Sequence, residues 1–210
     1  MPEALSMSNH QKLESYYKLH APLFDITRWA FLFGRSQLIQ LLPEFKPGAR
    51  IMDVGCGTGY MLTRLAKRFP EVKLTGMDLS KEMLDTSEKK LSAFPNDVEL
   101  IHAPFDTSFE PEKPVNAIIF TYTVTMMGSQ VFDNIRHCYE VLNKGGIIAV
   151  VDFNATPWTL FRKWMAVNHV DLNPKIREEF LKWFIPEHDL VKPAYGGIWS
   201  YFQFVGRKSG

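Results

Sequence analysis

Apolar positions along the chain fall into two alternating rhythms. Ile51, Met52 and Val54 form a short run, and Tyr60–Arg68 then carries apolar residues at helical spacing. Residues 72–77 make a second strand-like run with a helical stretch after it, and Val98–His102 makes a third. Residues 115–120 are almost wholly apolar, as suits a strand buried on both faces. Residues 129–142 read as a helix ending at Asn143-Lys144-Gly145-Gly146, where glycine would supply a left-handed cap, and 147–153 as a fifth strand. Ahead of all these, Ser8 or Asn9 begins a helix reaching His20, and residues 27–42 form another, closed by Pro43 and Pro47. Strand and helix in alternation predict an α/β fold with a mostly parallel sheet, helices on both faces and a ligand crevice at the strand C-termini.

After Asp152 the rhythm breaks. Residues 153–187 read as two helices, and Leu190 to Lys192 with 199–206, hinged at Tyr195-Gly196-Gly197, suggest a hairpin. One domain is expected over 1–210. Its parts are an N-terminal helical lid (1–46), a binding core (47–152), a helical insertion (153–187) and a closing β-hairpin (188–210).

Composition narrows the function. With 210 residues and 46% hydrophobic content there is enough apolar material for a full core. A net charge of +1 and the absence of basic runs argue against a nucleic-acid partner. Cys56 and Cys138 stand far apart, which forms neither a disulfide pattern nor a metal site and fits a reducing cytoplasm. Residues 1–20 lack the form of a signal peptide, and no stretch reaches roughly 18 uninterrupted apolar residues, so a soluble or peripheral protein is expected.

The chemistry centres on Asp53-Val54-Gly55-Cys56-Gly57-Thr58-Gly59, placed between strand and helix. Glycines at such a turn let the backbone take conformations that a Cβ disfavours and let a ligand lie against bare main chain, beside the free amides of the helix start. A dinucleotide fingerprint, G-x-G-x-x-G, would need glycine at position 60, where this chain has Tyr60. A second acid, Asp78, closes the next apolar strand.

This pair of motifs resembles motif I and the acidic loop of class I S-adenosylmethionine-dependent methyltransferases. The resemblance implies a Rossmann-like, seven-stranded sheet ending in an antiparallel hairpin, with S-adenosyl-L-methionine as cofactor. It implies that Asp78 takes the ribose hydroxyls, that Gly55, Cys56, Gly57 and Gly59 lie against the methionine part with Asp53 orienting it, and that Leu79 packs on adenine. Met83, Phe105, Asp106 and Thr121 complete the expected cofactor contacts. The family often has Gly-Asp-Ala after the third strand, whereas this chain has His102-Ala103-Pro104-Phe105-Asp106, so Asp106 or Phe105 would have to serve the adenine.

The flanking segments, from Tyr16-Tyr17 to Arg28, Leu32 to Arg35 and Thr121 to Met127, resemble bacterial N-methyltransferases acting on lipid head groups of the phosphatidylethanolamine or betaine-lipid type. An amine-bearing lipid is the acceptor this implies; a small soluble amine, hydroxyl or quinone is the alternative. Methyl transfer to an amine needs a neutral nitrogen, close positioning and tolerance of a cationic product, which aromatic faces provide. Tyr16, Tyr17, Tyr122 and Tyr195 are the candidate faces, Thr123 follows the fourth strand at the crevice, and Asp25 or His169 would accept the amine proton. Aromatic and basic residues mixed in 28–35 and 157–165 also suit peripheral contact with a membrane.

Overall fold

A computed structural model of the chain describes residues 31–210. Its elements, in chain order, are α1 (Arg35–Leu41), β1 (Arg50–Val54), α2 (Tyr60–Arg68), β2 (Lys73–Asp78), α3 (Lys81–Leu91), β3 (Val98–His102), β4 (Val115–Thr121), α4 (Val131–Val141), β5 (Leu142–Ala155), α5 (Thr159–Val167), α6 (Lys175–Trp183), β6 (Ile185–Ala194) and β7 (Trp199–Arg207). The strands form one seven-stranded sheet in the order β3-β2-β1-β4-β5-β7-β6. β1 to β5 run parallel, and β7 enters antiparallel between β5 and the edge strand β6.

Residues of alternate parity on the central strands face opposite sides, and both sides are covered. Ile51, Ala117, Ile119, Ala149 and Val151 pack with Leu38, Leu62 and Leu65 of α1 and α2. Met52, Val54, Ile118, Phe120, Ile148 and Val150 pack with Ile135 and Cys138 of α4 and Phe180 of α6. Asp53 has the parity of Ile51, yet it is a fully buried carboxylate within that apolar strand. Sheet order reverses between β1 and β4, so the C-termini of these strands open on the crevice of a doubly wound sheet.

Three boundaries depart from the pattern reading. Of the helix expected over 27–42, the described residues are helical only from Arg35, after Gly34 at φ 82°. The helix before β5 ends with Leu142 in extended conformation, and Gly145, at φ 69°, lies within β5 rather than capping α4. Pairing of Leu142 with Val115 draws the segment into the sheet ahead of a register shift. The hairpin forms, but β6 is far longer than Leu190 to Lys192. Pro186, Glu187, His188 and Asp189 carry no strand period of their own, and β6 runs along β7 from Ile185 opposite Arg207 to Ala194 opposite Trp199.

Candidate active site

The glycine loop joins β1 to α2, and its geometry explains its composition. Gly55 has φ 69°, and a Cβ there would stand 2.3 Å from Thr123 Oγ1, so only glycine lets the loop after β4 close against the loop after β1. Gly57, at φ 54°, faces open space: an added Cβ would meet no protein atom within 4 Å. Gly59 serves a different end. It caps α2, and a Cβ there would meet Ser87 Oγ of α3 at 2.4 Å, which makes it a packing position.

Asp78 ties the two strand ends together. Its Oδ2 accepts from the Gly57 amide at 2.7 Å, and its Oδ1 accepts from the Ser80 amide at 2.9 Å. Ser80 then caps α3, its hydroxyl accepting from Met83 N. Asp53 lies behind the loop with no hydrogen-bond partner for either carboxylate oxygen among the described residues. Burial, then the nearby Asp78 charge, raises its pKa well above the usual carboxylate range, and Arg35 acts in the opposite sense. The Arg35 guanidinium lies 3.9 Å from the centre of the Tyr60 ring.

A cavity of about 940 Å³ opens over these strand ends. Gly55, Cys56 and Gly57 line one end, followed by Asp78, Leu79 and Met83, with Ala103, Pro104 and Phe105 beyond. The opposite wall comes from Thr121, Tyr122, Thr123 and Thr125, and from Arg162, His169 and Asp171 after β5. Asp53, Gly59 and Asp106 do not line it. Asp53 stands behind the loop, buried and away from the cavity surface. Asp106 turns into its own loop, where Oδ1 accepts from Ser108 N at 2.9 Å and Ser108 Oγ at 2.5 Å.

Tyr122 has φ 59°, a strained conformation for an aromatic residue of the kind that gathers at functional sites. Its amide donates to Val151 O, its hydroxyl donates to Phe33 O at 2.8 Å, and its ring packs edge-on to Phe153. Burial pushes its hydroxyl pKa up. His169, at φ 61°, also lines the cavity. Tyr195, at φ 46°, does not; it stands half exposed with its ring 4.9 Å from that of Trp199. Tyr16, Tyr17 and Asp25 lie outside the described residues.

The pattern reading passed over Thr125 and Asp152. Asp152, fully buried at the end of β5, accepts from Thr125 Oγ1 at 2.6 Å and Phe153 N at 2.8 Å, while Thr125 O accepts from Asp171 N. Burial raises the Asp152 pKa to about 6 against the pull of these donors. An acid inside the run Val150-Val151-Asp152-Phe153 was the available signal.

These features fit S-adenosylmethionine. A bare glycine edge accepts a ligand main chain, Asp78 offers acceptors to paired hydroxyls, and Leu79, Met83 and Phe105 form an apolar slot for a flat ring.

Known proteins agree with this geometry. Residues 51–146 match the family model described as a methyltransferase domain. A malonyl-[acyl-carrier protein] O-methyltransferase of Halalkalibacterium halodurans is 34% identical over 109 residues, covering 50% of this chain and 40% of its own. The chain spans less than half the length of the first such relatives it matches. A ubiquinone/menaquinone biosynthesis C-methyltransferase, UbiE, of Geotalea daltonii is 22% identical over 95% of this chain and 89% of its own. Among solved structures, a Haemonchus contortus phosphoethanolamine N-methyltransferase 2, in complex with phosphomonomethylethanolamine and S-adenosylhomocysteine, superposes with a TM-score of 0.78 at 14% identity, over 98% of this chain and 61% of its own. These two curated relatives thus carry the names of an O- and a C-methyltransferase rather than of a lipid N-methyltransferase. Taken with the glycine loop, Asp78 and the sheet order, the match makes the core of this chain a class I, S-adenosylmethionine-dependent methyltransferase domain.

Proposed function

We propose that this protein methylates the amine of a lipid head group at a membrane surface. One observation carries this reading: the helix that forms the acceptor wall also presents an exposed apolar and basic face. On α5 and the residue before it, Trp158 is 61% exposed, Leu160 82%, Trp164 51% and Val167 77%. Arg162 and Lys163 are exposed on the same helix, and no acidic residue occurs between Asp152 and Asp171. Tyr195 and Ile198 extend the face, linked to α5 through Thr156, whose hydroxyl donates to Ile198 O and whose carbonyl accepts from Arg162 Nη2. Aromatic and cationic side chains together suit the interface of an anionic bilayer, where each cation adds about 1 kcal/mol. Among the described residues no helix is long and apolar enough to cross a membrane, so contact by this face would be peripheral.

Bound in the cavity, S-adenosylmethionine supplies a methyl group on a sulfonium, ready for in-line displacement. The chain's own part is to place a neutral amine opposite it. Gly55 and Thr123 close the floor, Tyr122 offers a rigid aromatic wall, and His169, which lines the same cavity, would take the amine proton. The phosphoethanolamine N-methyltransferase that shares this fold is an example of such a sheet serving a nitrogen acceptor. The UbiE-named relative, alike over nearly the whole chain, favours a second reading, a small soluble acceptor such as a quinone.

Labelled S-adenosylmethionine offered together with aminolipid vesicles, a soluble amine and a quinone separates the two. Label in the lipid fraction is expected. Label only in a soluble acceptor overturns the lipid reading.

A further inference from the structure

Asn134, in the first turns of α4, is 3% exposed and lines the cavity. Its Nδ2 donates to Phe105 O at 3.1 Å and meets Met127 Sδ at 3.6 Å. A carbonyl oxygen only accepts, so the Phe105 contact fixes which end of the amide is nitrogen and which is oxygen. Oδ1 is then an acceptor shielded from bulk water with no donor among the described residues. A buried acceptor left unpaired is costly, and a site that keeps one is built for a donor that arrives with a ligand.

The position of Asn134 selects the donor. The cavity runs from the glycine loop past Asp78 to Phe105, and Asn134 is anchored at the Phe105 end. S-adenosylmethionine has two kinds of N–H donor, the ammonium of its methionine part and the amino group of its adenine. The ammonium belongs with the glycine loop, on the far side of Asp78. The base belongs in the apolar slot of Leu79, Met83 and Phe105, and its amino group is the donor that reaches this end.

We infer that Asn134 Oδ1 accepts a hydrogen bond from the adenine amino group and so makes the site selective for adenine. The inference rests on the cofactor site alone and holds whichever acceptor is methylated.

Calorimetric titration of the full chain with S-adenosylhomocysteine and with its counterpart bearing a 6-dimethylamino group, which has no N–H to give, tests it. The unaltered protein is expected to bind the amino ligand at least tenfold more tightly; equal binding overturns the assignment. In Asn134→Leu, the amino ligand is expected to weaken about tenfold while the dimethylamino ligand changes less than twofold, so the preference disappears. Equal weakening of both would reduce Asn134 to a prop for Phe105 and overturn the assignment, as would no change in either. Asn134→Ser, smaller and still polar, serves the same comparison if the leucine variant does not fold.

Discussion

The two walls of the cavity are built from different materials. The cofactor wall is made of main chain and short side chains drawn from one continuous stretch, with Gly55, Gly57 and Asp78 separated by a single strand-helix-strand unit. The acceptor wall is assembled from distant segments. Tyr122 is held by the carbonyl of Phe33, 89 residues away, and the turn at Thr125 is held by Asp152 from β5 and in turn holds Asp171 beyond α5. A wall made of backbone can be specified locally, whereas a wall made of long-range side-chain contacts depends on the whole sheet being in register.

The sharpest test acts where the walls meet. Gly55→Ala forces a left-handed residue to carry a Cβ, at about 1–2 kcal/mol, and drives it into Thr123, at about 1–3 kcal/mol more. A fall in melting temperature and loss of S-adenosylhomocysteine binding by about a hundredfold are expected. Adding Thr123→Ala should recover part of both, because the steric share is removed and the backbone share remains. If the double variant recovers nothing, the two walls do not touch in the way described.

Next in size is the acceptor wall alone. Asp152 holds its proton up to about pH 6 in the folded chain, while an unfolded aspartate releases it near pH 4. The stability that its neutral form contributes is therefore complete below about pH 4 and is lost as pH rises through about 6, by an amount on the order of 3 kcal/mol. Urea titrations of wild type and Asp152→Asn across pH 4 to 7 should show the wild type losing ground to the variant by that order. A constant difference between the two proteins would mean that Asp152 titrates as if in water.

The cofactor wall alone gives the smallest effect. Asp78→Ala should weaken S-adenosylhomocysteine binding by about 1.5–3 kcal/mol, through lost charge-assisted hydrogen bonds. Unchanged affinity in calorimetry would remove Asp78 from the ribose and leave it as a brace for the Gly57 amide.

The same contrast explains what could be read from the sequence. The parallel sheet and the glycine-acid pair were legible because a parallel α/β unit writes itself in consecutive residues, with Tyr60 enough to set aside the dinucleotide pattern. Asp53 and Gly59 were legible as motif positions but not in their placement: one sits behind the loop, and the other accommodates Ser87. Asn134 gave no signal, since an asparagine inside a helix looks incidental until the carbonyl of Phe105 is brought beside it. Thr125 and Asp152 lie 27 positions apart and share a bond only after β4 and β5 pair. β6 was underestimated because its prolines and acids are tolerated at a sheet edge, where one side of the strand needs no partner.

The cysteine inside the glycine loop has a practical consequence. Cys56 is buried beside Gly76, and desolvation, followed by the Asp53 and Asp78 charges, raises its pKa well above that of an ordinary thiol. Cys138, the other cysteine of the chain, is raised by burial as well. Thiolate is the form that alkylating agents and peroxide attack, so burial in the native fold disfavours reaction at both sulfurs. Cys138 lies in the core between the sheet and α4, so the rate at which a thiol reagent consumes it reports how often that packing opens.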